Sequence, residues 1–178
     1  MYPFFRMAKA FWQIRKAPPL DLFDSHISHH RCWPWDIDMM MELNNGRTLT
    51  LLDLGRIPLA QRLGLLRVLK KENWGLTMAG ATVRYRRRIR TFEAFTMKSR
   101  LVCWDDRFTY LEQCMINSSG EVANHAVYRA AVTDKNGIVG TDRLAKALGN
   151  VGNSPPIPDW IKAWIDAEAK RPWPPMQE

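Results

Sequence analysis

WPWDIDMMMELNNGRTLTLLDLGRIPLAQRL, residues 33 to 63, carries a turn, a helix start and an apolar helix in one run. It reads as the end of a strand, a turn holding Asp36 and Asp38, two asparagines, and then the helix. Asn44 and Asn45 are both good N-cap residues, because a short side-chain carbonyl takes up an orphan backbone N–H. Leu49, Leu52, Leu59 and Leu63 follow at helical spacings, the pattern of a buried stripe. The helix is expected from Asn45 to about Ile57. Gly55 suits a close approach to a sheet, at about 1 kcal/mol of helix propensity. Pro58 should kink the helix or open a second, short one. Asp53 and Arg56 fall on one face and can pair. A carboxylate near a helix N-terminus is favoured as an anion. The N–H groups of that first turn could stabilise an oxyanion if a carbonyl were attacked there. By residue type alone, however, Asp36 and Asp38 read first as residues that shape a turn and cap a helix.

At 178 residues the chain suits one domain with a real core. Its 46% hydrophobic content and eight tryptophans argue against disorder. The net charge of +8 points to an anionic partner: phosphate, nucleic acid or an acidic membrane surface. Cys32, Cys103 and Cys114 are odd in number and lack a CxxC pairing, which suits free thiols in a reducing, cytoplasmic setting. No run of about 18 apolar residues is present to span a membrane. The first residues lack the apolar core and cleavage site of a secretory signal.

The chain divides into residues 1–20, a basic amphipathic helix; 21–149, the main domain; and 150–178, a linker, helix and tail. In FFRMAKAFWQIRK, residues 4–16, Phe4, Met7, Ala8, Phe11 and Trp12 recur at helical spacing among Arg6, Lys9, Arg15 and Lys16. Such a helix either lies peripherally on an anionic bilayer or, as is commoner, docks its apolar face on protein. His26, His29 and His30 invite a metal reading. No cluster at ligand spacing accompanies them, so they read as surface or core-edge residues, with no metal site.

From Trp74 the period changes to two. Residues 76–90 read as a long strand ending in VRYRRRIR, with Arg84, Arg86, Arg88 and Arg90 on one face and Val83, Tyr85 and Ile89 on the other. Residues 95–104 place Phe95, Met97, Leu101 and Cys103 inward. Residues 108–117 form a third strand of mixed alternation. Residues 122–133 place Val122, Ala126, Tyr128, Ala130 and Val132 on one face. Asp105-Asp106, Ser118-Ser119-Gly120 and Asn136-Gly137 supply the turns. Thr141 is expected to cap a helix that Gly149 stops. Residues 159–170 give a last amphipathic helix, with Trp160, Ile161, Trp164 and Ile165 together. One apolar helix followed by strands on short loops argues for an α+β fold with an antiparallel sheet.

The order Asp36-Ile-Asp38, then Glu42-Leu43-Asn44-Asn45-Gly46-Arg47, resembles the signature of the hotdog-fold thioesterase superfamily. There an Asp-x-Asp turn precedes a His-x-Asn-Asn element and a long central helix wrapped by a curved sheet. Leu101-Val-Cys-Trp-Asp-Asp-Arg107 and Tyr110-Leu-Glu112 are similar to one branch, which holds the animal thioesterase superfamily member six proteins and bacterial relatives. The similarity covers roughly residues 26 to 149, and two matches in order are more specific than one. It implies a hotdog fold here, with extra N- and C-terminal helices. In the 4-hydroxybenzoyl-CoA thioesterase branch the second Asp of the turn is catalytic, and it falls on Asp38. Glu42 stands where relatives often carry His.

The resemblance implies an acyl-CoA thioesterase without a cofactor, a homodimer or dimer of dimers with its active site at the subunit contact. A thioester carbonyl would sit over the Asn45–Gly46 end of the helix. Asp38 would attack it or activate a water, which Asn44 or Asn45 would orient, with Glu42 a second candidate base. Arg84, Arg86 and Arg88 could hold the phosphates of coenzyme A, since guanidinium groups bind phosphate in bidentate fashion. The same arginines could be a solvated face or grip nucleic acid. Nucleic acid is not expected, because interleaved aromatic residues would be needed for stacking and only Tyr85 is near, on the other face. The alternative to an enzyme is a non-catalytic hotdog protein that binds acyl chains or a partner, at a membrane surface.

Overall fold

The computed structural model describes residues 1–176. In chain order the elements are α1 (Phe4–Ile14), β1 (His26–Arg31), α2 (Asn45–Arg62), α3 (Leu65–Glu72), β2 (Gly75–Tyr85), β3 (Ala94–Trp104), β4 (Thr109–Ile116), β5 (Val122–Asp134), β6 (Gly137–Ile138), α4 (Thr141–Ala147) and α5 (Asp159–Lys170). A single 3₁₀ turn, Pro34–Asp36, precedes α2.

Asn44 is the N-cap of α2: its backbone is extended and its Oδ1 accepts the N–H of Arg47 at 2.9 Å. The helix runs through Pro58 to Arg62, past the end expected near Ile57. Pro58 removes one hydrogen bond, but it is buried inside the helix, and packing on the sheet outweighs that loss. Gly64 then adopts a left-handed conformation, φ 78°, and turns the chain into α3. The inward stripe is Thr48, Leu51, Leu52, Leu54, Gly55, Pro58, Leu59 and Ala60. Leu49, expected in that stripe, is exposed.

The sheet is antiparallel, in the order β1-β3-β4-β5-β2, with β6 hairpinned onto β5. One face curls around α2, burying Leu51, Leu52 and Leu54 against Phe95, Met97, Met115 and Ala126. Gly55 sets the separation: a Cβ there would lie 2.5 Å from Met97 Sδ and 2.5 Å from Ser99 Oγ. The buried Gln113 pins the helix, its amide donating to the Leu52 carbonyl at 2.9 Å and to Ser99 Oγ at 2.7 Å. On the other face α5 packs Ile161, Trp164 and Ile165 against Cys103, Tyr110 and Val127. Both faces are therefore covered. That is why β4 shows mixed alternation, with Tyr110 in the α5 cluster and Met115 in the α2 cluster. It is also why β5 is buried on both sides, while Val122, expected inward, is exposed at its start. This is the hotdog arrangement, helix inside and sheet around it.

Three other local expectations change. β2 ends at Tyr85, so Arg86, Arg88 and Arg90 do not continue one strand face. The Arg86 and Arg87 N–H groups both donate to the Ala123 carbonyl, and the Ile89 carbonyl accepts from Leu43, which draws the chain off β5 toward the Asp turn. Thr141 is the first residue of α4 rather than its cap; its hydroxyl donates to the Asp105 carbonyl. α1 docks on α2 through Met7, Ala10 and Phe11, while Phe4 and Trp12, expected on that stripe, are exposed.

Candidate active site

The Asp turn is a tight loop that folds back on itself. Ile37 bridges Leu43, the Asp38 N–H donates to the Glu42 carbonyl at 2.9 Å, and the Met41 N–H returns to Asp38. The Asn44 N–H donates to the Asp36 carbonyl at 3.0 Å, which sets the start of α2 directly over the turn. Because Asn44 caps Arg47, and Thr48 bonds back to the Asn44 carbonyl, the N–H groups of Asn45 and Gly46 remain open among the described residues. They are the pair of donors an oxyanion would need. Gly46 is confined too: a methyl there would sit 3.3 Å from Asn44 Oδ1.

The three acids of the motif are in different electrostatic states. Asp36 is fully buried, and Arg6 holds one oxygen at 2.6 Å while Arg47 holds the other at 2.7 Å. Glu42 forms a close ion pair with Arg88, 2.8 Å, without hydrogen-bond alignment. Asp38 is half-buried; its Oδ1 accepts the Met40 N–H at 2.8 Å, and among the described residues it has no ion pair.

A cleft of about 180 Å³ opens beside the helix start, lined by Glu42, Asn45, Thr48, Tyr85, Asn124 and Arg86 to Arg88. Arg86 and Arg88 thus reach the site from a loop, not from a strand face. Arg84 is not in this lining; it stands on β2 opposite His125. A second cleft, about 410 Å³, lies on the other side against Tyr2, Trp35, Asp36, Asn44 and Arg47. Asp38 lines neither cleft.

Sequence reasoning missed Tyr85 and Asn124. The Tyr85 hydroxyl donates to the Asn45 carbonyl at 3.0 Å, and partial burial raises its pKa. Asn124 is buried, donates weakly to Met115 Sδ, and leaves its Oδ1 without a partner. A lone amide between Ala123 and His125 in the VANHAVYRAAV strand was the available signal. The histidines gather no ligand cluster, and no group of three metal-type side chains occurs among the described residues. Asp105, from the second matched motif, is a turn staple: it accepts the Arg107 and Phe108 N–H groups and the Tyr110 hydroxyl, the last at 2.6 Å.

A family model described as thioesterase-like superfamily matches residues 32–165. The chain belongs to this superfamily. Within the thioesterase-like superfamily it is similar to Protein THEM6 of Xenopus laevis, 29% identical over 91% of this chain and 78% of that one. Its fold is that of the YbaW probable thioesterase of Escherichia coli, TM-score 0.65 at 18% identity, over 69% of this chain and 96% of that one. The DHNA-CoA thioesterase of Staphylococcus aureus also superimposes, TM-score 0.60 at 18% identity, over 82% and 91%. The match to the superfamily takes in the Asp turn, α2 and strands β2 to β6, so Asp38, Glu42, Asn45, Gly46, Tyr85 and Asn124 lie inside it.

Proposed function

We propose that this chain hydrolyses acyl-CoA thioesters at the start of α2. One observation carries the reading: of the three acids in the motif, Asp38 alone is free of an ion pair, and it lies on the turn that feeds two open N–H donors. A carboxylate already neutralised by guanidinium groups is a poor base or nucleophile, which sets aside Asp36 and demotes Glu42. The thioester oxygen sits on the Asn45 and Gly46 N–H groups, and charge that develops there is met by preorganised dipoles. Asp38 attacks the carbonyl carbon or removes a proton from the attacking water. Arg86 and Arg88 bind phosphates of the coenzyme A leaving group at the cleft mouth. The acyl chain follows α2 toward an apolar cavity bordered by Ile57, Leu63, Leu66, Leu76 and Met78. The wall that Asp38 lacks within one protomer is supplied by a second copy.

Asp38→Asn should lower turnover of a panel of short, long and aromatic acyl-CoAs by about 10²–10⁴-fold, the range for losing a positioned base. Its melting temperature should match wild type. Glu42→Gln should cost roughly tenfold or less, since it only frees Arg88. Equal activity of Asp38→Asn and wild type removes Asp38 from the chemistry. The second reading is a non-catalytic hotdog protein that binds acyl chains. The placement of Asp38 outside both clefts favours it, and an inactive wild type that still binds acyl-CoA would establish it.

A further inference from the structure

We propose that the outward face of α1, together with the aromatic platform beside it, is a docking surface for an anionic lipid bilayer. This surface does not depend on the thioesterase reading. α1 has two apolar faces. Met7, Ala10 and Phe11 turn inward onto the core. Phe5, Ala8 and Trp12 recur at helical spacing on the other side and are exposed, Phe5 at 94% and Trp12 at 62%. Docking on its own domain accounts for the first face and leaves the second uncovered.

The apolar surface does not stop at the helix. Phe4 and Phe5 border one open hollow with Trp35. Trp35 stacks on Trp33, ring centroids 5.5 Å apart, and Phe92 meets Trp33 edge-on at 6.1 Å. The charged residues on α1 and in the turn that follows it are all cations. Lys9 and Lys16 are exposed, the Arg15 guanidinium lies 3.9 Å over the Trp12 ring, and residues 1–20 contain no acid. Asp36, the carboxylate that Arg6 of α1 pairs with, is buried with both oxygens taken by Arg6 and Arg47.

Aromatic rings beside lysines match the headgroup layer of an anionic bilayer, where rings sit at the interface and ammonium groups meet lipid phosphates. A second copy is a poorer occupant. A two-fold contact sets the patch against itself and brings lysines face to face, which like-charge repulsion opposes.

The test mixes the full chain with phosphatidylcholine vesicles and with vesicles also holding about 30 mol% phosphatidylglycerol, then measures partition by sedimentation. The chain is expected to bind the anionic vesicles. Phe5→Ser with Trp12→Ser should reduce that partition at least about tenfold, and Lys9→Ala and Lys16→Ala about fivefold each. All four side chains point outward, so melting temperatures should hold. If the aromatic pair fails to fold, the lysine pair and a salt series read the same surface. Wild type left in the supernatant with both vesicles overturns the proposal, as does unchanged partition of the lysine pair. Lipid-free association that Phe5→Ser with Trp12→Ser abolishes, or a dependence on an acidic protein rather than lipid, overturns it as well.

Discussion

Asp36 divides its two oxygens between guanidinium groups from distant parts of the chain, Arg6 of α1 and Arg47 of α2, and also accepts the Trp33 N–H at 3.1 Å. A buried carboxylate is tolerable only when its lone pairs are met in this way. Removing it strands two arginines whose side chains are only 17% and 14% exposed. Asp36→Ala should therefore cost about 3–5 kcal/mol, whereas breaking the exposed Arg87–Glu121 pair should leave stability almost unchanged. Urea midpoints measure both, and a near-wild-type midpoint for Asp36→Ala would sink this assignment. The sequence placed both aspartates on a turn and Asn44 at a helix cap, because those are local matters of side-chain reach. It could not tell which aspartate is sealed and which is open. That depends on an arginine 30 residues upstream and another 11 downstream, and no spacing rule links them. Asn124 was hidden for the same reason: it meets the site only through sheet register.

Elements meet here through a few close contacts. Gly55 lets α2 approach β3 so closely that an alanine methyl would overlap Met97 and Ser99. Alanine gains about 1 kcal/mol of helix propensity, but overpacking a tight core costs about 1–3 kcal/mol. Gly55→Ala should be destabilising on balance, because Ser99 also holds Gln113 and cannot move freely. A raised melting temperature would show that the helix has room to shift. β1 carries a pH response. Burial, reinforced by Arg62 at 3.3 Å, pushes His26 down to about 4, and burial with Arg6 nearby does the same for His30. Both are neutral when folded, while the unfolded chain takes up protons from about pH 6.5 downward. Their contribution is fully present above that pH and is lost as pH falls toward 4. Each should cost on the order of 1–2 kcal/mol of stability by pH 5, seen as a falling urea midpoint between pH 7 and pH 5. A flat profile would mean the rings are solvated. Strand periods and turn residues made the α+β order readable. The end of β2 was not readable, because arginine recurs at every second position from Arg84 to Arg90 and no turn residue follows Tyr85. Contacts with Ala123 and Leu43, not propensity, pull the chain away there.

At the scale of the whole molecule, the sheet has a long edge that no other strand pairs among the described residues. The order β1-β3-β4-β5-β2 leaves two edges, and β2 is the long one, eleven residues against six for β1. Most of β2 is exposed on both faces, including Leu76, Met78 and Tyr85. An unpaired edge of that length, with no proline in it, is a template for another strand. A second copy laid antiparallel along it would extend the sheet across a two-fold axis and satisfy both edges at once. It would also cover the apolar cavity that Leu76 and Met78 border. The expected mass in solution is twice 20.7 kDa, measured by sedimentation equilibrium at low micromolar concentration. Ala79→Lys with Ala81→Lys places charges on exposed β2 positions and should raise the dissociation constant at least about tenfold, since lysines are how natural edges resist pairing. The circular dichroism of the separated protomers should be unchanged, because neither alanine contributes to the core. If the variant is monomeric and inactive while Asp38 is intact, the site is completed across the interface. If it is monomeric and fully active, each protomer carries out the chemistry alone. A wild-type protein that stays monomeric throughout removes the edge-paired dimer altogether.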